Sequence, residues 1–364
     1  MKLPGIIGLD VVLPRDSQPL TDAEYAKLRS VCAQLRRIVE LRESYIKDHG
    51  LDVAIHNPGA NWSLDQPLFA GYRALIGGER PHLDRLRVFS QMFSGHYLGV
   101  ADAAGWEVPA ALPKDLDAEA LAFLRQAFSA EVAPWWMTRY QSLISRFPAL
   151  AALSPPRAFG ETGVLCKGVI VNYDTHAYLE RLSILVEERI IESLQRKRRP
   201  VIMEIGSGYG ALAYYIRQLV PDCVYICVDI PESLLFSALY LSRFQHDTFV
   251  LGTDIDPACV ADHDAAFVPN YMFDDLAGSG VQVDLAINTL SMSEMTAEQV
   301  TNYCRGIRSM LTGDGVFFEQ NQDNRHLGML FARDIIGQHF DPELSVRVEA
   351  DLTQGTATVW RNGR

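Results

Sequence analysis

The stretch Val201 to Ala211, Val-Ile-Met-Glu-Ile-Gly-Ser-Gly-Tyr-Gly-Ala, decides the fold. Val201 to Ile205 is a short apolar run, broken by Glu204, that suits a buried strand and enters a glycine-rich turn. Leu212 to Leu219 then repeats apolar residues at helical spacing, so the stretch reads as strand, tight turn and helix. Gly206, Gly208 and Gly210 lack the Cβ atoms that keep a ligand from a backbone, and Ser207 and Tyr209 complete the loop. The following helix offers unpaired N–H groups and the positive end of its dipole. An adenosine-containing cofactor is the expected occupant.

Two cofactors compete for this loop. Gly206, Gly208 and Ala211 satisfy the dinucleotide spacing, and Asp229, followed by Ile230, stands where a ribose-binding acid is expected. Glu204 discriminates. At the mouth of the site it would meet a pyrophosphate as a like charge, at a cost of order 1–4 kcal/mol. S-adenosylmethionine carries no phosphate, and its ammonium and sulfonium tolerate an acid, so it is favoured over NAD. Tyr209 is read either as a cation–π partner of the sulfonium or as an outward-facing loop residue.

The chain has 364 residues, 48% hydrophobic and 21% charged, which is ordinary for a globular protein with room for two domains. A net charge of -12 opposes nucleic-acid binding, which needs a concentrated basic surface. The basic run Arg196 to Arg199 reads as a solvated linker. Six cysteines at 32, 166, 223, 227, 259 and 304 form neither a disulfide framework nor a zinc spacing, so a reduced cytoplasmic setting is expected. No run reaches membrane-spanning length, and Asp10 with repeated prolines stands where a leader would be basic and then apolar. Neither a membrane nor a nucleic acid is an expected partner.

Upstream, Pro4, Pro14 and Pro19 keep residues 1 to 20 extended. Thr21 with Glu24 forms a capping box, and Ala26 to Ile46 places Leu28, Val31, Leu35, Ile38 and Leu41 on one helical face, ending near His49 and Gly50. Asn57 to Pro81 reads as irregular. Helices are expected at Leu83 to Ala103, Asp117 to Ser129 and Ala133 to Phe147, with Trp135, Trp136 and Tyr140 as core residues and a substrate platform as the alternative. Residues 154 to 174 form a connector, and a helix from Thr175 to Leu194 leads into the sheet. Strands follow at Val224 to Val228, at Ala265 to Pro269 or Thr248 to Leu251, at Val283 to Asn288, at Val316 to Glu319, and in a closing hairpin of Ser345 to Val348 with Thr356 to Trp360. Strands alternating with helices give a doubly wound, Rossmann-like α/β sheet. An antiparallel end pair is the methyltransferase version of it. Three segments are expected: a helical N-terminal domain over residues 1–153, a connector and lead-in helix over 154–195, and the cofactor domain over 196–364.

Glu204 to Gly210, Val228-Asp-Ile-Pro-Glu, Tyr240-Leu241 and Asn288 to Met295 together resemble the sugar O-methyltransferase family of bacterial biosynthetic clusters. Phe159-Gly-Glu and Asn172-Tyr-Asp-Thr are similar to that family's lead-in, and the resemblance covers roughly residues 155 to 325. It implies an S-adenosylmethionine-dependent methyltransferase of class I fold.

Methylation of a hydroxyl is helped by a general base. Glu294, after the fourth strand and beyond Ser291 and Ser293, is one candidate, its alternative being a helix N-terminal acid. His176 is the other, with Asp174 to orient it. Asp323 is a third; no spacing compels a metal. Asn288 is grouped with the cofactor residues. The expected protein uses S-adenosylmethionine to methylate a sugar or sugar-bearing small molecule held between the two halves, with the helical half as a candidate homodimer surface. The alternatives are C- or N-methylation of another natural product, an NAD-linked oxidoreductase, and a non-catalytic binding protein.

Overall fold

The computed structural model describes residues 10–59, 62, 64–94, 111–129, 131–348 and 355–362. In chain order the elements are β1 (Asp10–Val12), α1 (Asp22–Asp48), α2 (Val53–His56), α3 (Ala70–Leu75), α4 (Arg80–Leu83), α5 (Leu86–Phe89), α6 (Leu116–Ala127), α7 (Ala133–Arg146), β2 (Gly163–Cys166), β3 (Val169–Val171), α8 (Tyr173–Glu187) and α9 (Ile190–Arg196). There follow β4 (Val201–Ile205), α10 (Ala211–Leu219), β5 (Val224–Asp229), α11 (Pro231–Phe244), β6 (Thr248–Val250), β7 (Ala265–Pro269), α12 (Phe273–Gly278), β8 (Val283–Thr289), α13 (Ala297–Met310), β9 (Leu311–Gln320), α14 (Ala332–Ile336), β10 (Ser345–Val348) and β11 (Ala357–Arg361). They form two compact units, Met1–Cys32 with Asp65–Glu188, and Ala33–Leu64 with Arg189–Arg364.

The first unit is mainly helical. It holds the first turns of α1, which is capped as its sequence requires, the Thr21 N–H donating to Glu24 at 2.7 Å and the Glu24 N–H to Thr21 Oγ1 at 3.2 Å. Within the segment expected as a connector, residues 163–171 form a β-hairpin. Lys167 and Gly168 take φ of +51° and +88° between Cys166 and Val169, the two-residue turn whose twist matches paired strands. Strand β2 also pairs with β1, Asp10 opposite Leu165, giving a three-stranded antiparallel sheet.

Of the helix expected from Leu83 to Ala103, α5 and a short turn at Gln91–Phe93 form, α4 ends where it was to begin, and 95–103 lie outside the described residues. The Arg87 N–H donates to Phe159 O at 3.0 Å instead of continuing the helical ladder. Likewise the lead-in helix divides at Arg189, which takes φ +60° between α8 and α9. In α7, Tyr140 is core as expected, but Trp135 is 49% exposed.

The second unit carries eight strands in the order β10-β11-β9-β8-β4-β5-β7-β6. Strands β4, β5 and β7 are buried almost throughout, as parallel strands covered on both faces must be. Both candidates for the third strand are real, β6 pairing parallel outside β7. Strand β11 runs antiparallel to both β9 and β10, which closes the sheet with the expected hairpin. Chain order reverses between β4 and β8, so their carboxyl ends form the crevice where such sheets bind ligands. Among the described residues no helix is long and apolar enough to cross a membrane.

Candidate active site at the carboxyl edge of the sheet

The glycine loop links β4 to α10 at this crevice. Gly206 takes φ +76° and its N–H donates to Val228 O at 2.8 Å. A Cβ at Gly206 would overlap the hydroxyl of Ser291 and lie 2.6 Å from its Cβ, and one at Gly210, φ +86°, would lie 3.2 Å from Leu241 Cγ. These two glycines thus let the loop fold onto the protein itself. We expect Gly206→Ala to destabilise the protein by about 1–3 kcal/mol in denaturant titration, from overpacking and left-handed strain. Part of this should return in Gly206→Ala/Ser291→Gly, and an alanine variant as stable as the parent would refute the contact. Ser207 Oγ donates to Ser237 Oγ at 3.1 Å. Tyr209 does not point outward; it is buried edge-on against Tyr240, ring centroids 5.4 Å apart.

Two acids differ sharply in setting. Glu204 is buried, not at the mouth, and accepts from the Tyr225 hydroxyl at 2.8 Å. Burial and this neighbouring carboxylate push Tyr225 well above its ordinary range. Asp229, at the end of β5, is half-buried and accepts the N–H groups of Ile230, at 2.8 Å, and of Gly208 and Ser207. Desolvation pushes it up to about 7, the backbone donors opposing and the like charge of Glu204 reinforcing.

Asn288, expected beside the cofactor, sits in a buried hydrogen-bond chain. Fully buried, its amide donates to Ile205 O at 2.8 Å and Ser291 Oγ at 2.7 Å, and its carbonyl accepts from Asn321 at 2.9 Å. Asn321 also donates to Glu319, which Arg333 holds at 2.6 Å. This buried chain ties the ends of β4, β8 and β9 together.

The turn after β8 begins with Leu290 at φ +69°, ψ −34°, held by its N–H to Gln320 O at 2.8 Å. Such strain in a non-glycine residue is retained where surrounding structure over-determines it. Glu294 ends this turn, ahead of the α13 cap, where Thr296 and Gln299 form a capping box. It is therefore not the N-terminal acid of α13. Its side chain keeps solvent exposure while protein packed around the carboxyl pushes it up to about 7, opposed by a hydrogen bond from the Trp62 side chain.

Trp62 belongs to a segment that sequence reasoning did not connect with the sheet. Within the second unit, Arg42 grips the buried Glu232 with two bonds of 3.0 and 2.7 Å, and the Tyr45 hydroxyl bonds Asp275. Tyr271 donates to Ile38 O at 2.9 Å and Asn270 to His56 O at 2.8 Å. His56 lies 3.4 Å from Asp274 and holds that carboxyl below its ordinary range. The loop from Asn270 to Asp275, expected to border an adenine, is thus fastened by residues 38–56. No local signal marked Arg42, Tyr45, His56 or Trp62, since contact with the sheet depends on the tertiary fold.

His176 and Asp174 lie in the first unit, on the buried face of α8. Asp174 accepts from Arg87 at 2.8 Å and from Ser94, and the carboxylate facing His176 Nδ1 is Glu180 at 3.3 Å, so Asp174 is not its orienting group. Trp136 stands edge-on to the imidazole at 5.1 Å. Burial holds His176 below its ordinary pKa, Glu180 opposing and Arg139 reinforcing. Asp323 is bonded to Arg325, whose hydrogen bond lowers it to about 2. Among the described residues there is no group of three or more His, Cys, Asp or Glu that could hold a metal ion.

No family model matches the chain, and no curated protein does, so the resemblance to the sugar O-methyltransferases rests on its motifs. Solved structures similar to it include the N-methyltransferase NodS of Bradyrhizobium japonicum with S-adenosyl-L-homocysteine, at 14% identity over 62% of this chain and 99% of that one, TM-score 0.36. A candidate O-methyltransferase of Nostoc punctiforme matches at 14% identity over 90% and 94%, TM-score 0.35. The aminopentose methyltransferase CalS10 of Micromonospora echinaspora, solved with S-adenosylmethionine, matches at 12% over 54% and 100%, TM-score 0.35.

Proposed function

We propose that the protein is an S-adenosylmethionine-dependent methyltransferase acting on a hydroxyl of a sugar or sugar-bearing small molecule. The observation that carries the donor reading is the antiparallel β11 between β9 and β10, which closes an otherwise parallel sheet in the methyltransferase manner. Asp229 presents a half-buried carboxylate beside the glycine loop, with the like charge of Glu204 acting on it. A carboxylate at that strand end suits ribose hydroxyls. Asp229 would hold the ribose, and backbone N–H groups at the start of α10, which has no side-chain cap, would hold a carboxylate. When bound, S-adenosylmethionine supplies a methyl carbon made electrophilic by its sulfonium, which keeps the bonding pair as a neutral thioether.

Glu294 is the favoured base. It ends the turn that begins at the strained Leu290, reaches solvent, and has a carboxyl raised toward neutrality, where proton acceptance is most effective. Calorimetric titration should give binding of S-adenosylmethionine and S-adenosylhomocysteine and none of NAD; preference for NAD overturns the reading. Glu294→Gln should keep donor affinity while methyl transfer from labelled donor falls by about a hundredfold or more. Full turnover in that variant would remove Glu294 as the base.

A further inference from the structure

We propose that Trp62 is the positioning residue of the acceptor site: its indole N–H holds one oxygen of Glu294, leaving the other for the hydroxyl of an acceptor ring whose apolar face lies against the indole. This rests on the methyl-transfer reading and deepens it. Both sides of the pair are anchored to one framework. Gln299, in the first turn of α13, donates to Ile55 O at 3.2 Å and Asn57 O at 2.9 Å, and the Trp62 backbone N–H closes a turn onto Gly59 O at 2.8 Å. On the other side, Ser293 Oγ donates to Gln322 O at 3.0 Å and the Ser293 backbone carbonyl accepts the Leu330 N–H at 3.2 Å, so the turn bearing Glu294 is held from two directions.

The indole is half-buried and the carboxylate beside it reaches solvent. An aromatic wall next to a carboxylate matches a ring with C–H groups on its face and hydroxyls on its edge. In the proton step the acceptor O–H bond breaks, its proton passes to the Glu294 oxygen that Trp62 does not hold, and the electron pair stays on the acceptor oxygen. The proton later returns to water. Burial raises the Glu294 carboxyl and the Trp62 bond lowers it, so the bond has a readable signature.

The test follows the Glu294 carboxyl carbon and the indole N–H of Trp62 by NMR across the neutral pH range in the full chain, with Glu294→Gln assigning the signals. In the parent both should titrate with one midpoint. In Trp62→Phe the carboxyl midpoint should move upward, because a donor to the ionised form has been removed. Two independent midpoints in the parent, or an unmoved midpoint in the Phe variant, overturn the proposal. Donor binding by calorimetry should be the same within about twofold in Trp62→Phe, since the indole bonds Glu294. A parent that binds no S-adenosylmethionine sinks the methyl-transfer reading while leaving the shared midpoint intact. With methyl hexosides as probe acceptors and labelled donor, the acidic limb of kcat/KM should move to higher pH in Trp62→Phe. Transfer to alkylamines with none to the hexosides overturns the ring-hydroxyl assignment.

Discussion

Replacing Asp229 by alanine should weaken S-adenosylmethionine binding by about ten- to a hundredfold, the worth of hydrogen bonds to a charged acceptor, about 1.5–3 kcal/mol. Calorimetry reads this directly, and unchanged affinity would remove Asp229 from the donor site. The pH dependence gives a second check. The carboxyl is raised to about 7 without donor. Ribose hydroxyls favour its ionised form, so binding releases a proton and affinity should rise as pH increases through neutrality, then level off. Asp229→Asn should abolish that rise. Stability should move the other way. A carboxyl whose folded pKa lies above its unfolded value contributes stability at low pH that is lost as pH rises through the folded value. Asparagine, which never ionises, should therefore give a higher melting temperature than the parent at pH 8 but not at pH 5.

The second large effect lies in the first unit. Arg87 is 3% exposed and donates to Glu161 at 2.8 Å, Asp174 at 2.8 Å and Ser90 at 2.9 Å. Glu161 is 2% exposed, and burial raises its pKa while Arg87 opposes. Arg87→Met leaves two buried carboxylates facing each other, and denaturant unfolding should show a loss of about 3–5 kcal/mol. Without the guanidinium, Glu161 rises further above its unfolded value. Its stability contribution is then present below the unfolded pKa and lost as pH climbs through the folded one, so the defect should deepen from pH 5 to pH 8. Arg87→Met/Asp174→Asn/Glu161→Gln should recover much of it. A single variant within 1 kcal/mol of the parent, on the scale of an exposed ion pair, would contradict the buried network.

Asp174 also illustrates what a sequence hides. Two residues before His176, it invited a role as orienting acid; its partner is Arg87, far upstream, and Glu180, one helical turn on, faces the imidazole. The bonds of Asn288 to Ile205, Ser291 and Asn321 are hidden in the same way. The hairpin at Lys167 and Gly168 did carry a local signal, a glycine between two apolar runs, but its pairing with β1 joins residues far apart in the chain.

The sequence by itself determined the strand, glycine turn and helix around Val201 to Ala211, the cap of α1, the alternation that makes the sheet, and the antiparallel closing pair. These rest on short-range spacing, turn residues and caps, which are written within a few residues of where they act. The tertiary structure alone decided that Glu204 is buried beneath the loop and not at its mouth, that Gly206 is needed by Ser291, and that residues 38–62 fasten the sheet's carboxyl edge and bring Trp62 to Glu294. Burial, charge pairing and the partners of polar groups are properties of long-range contacts, and no local period encodes them.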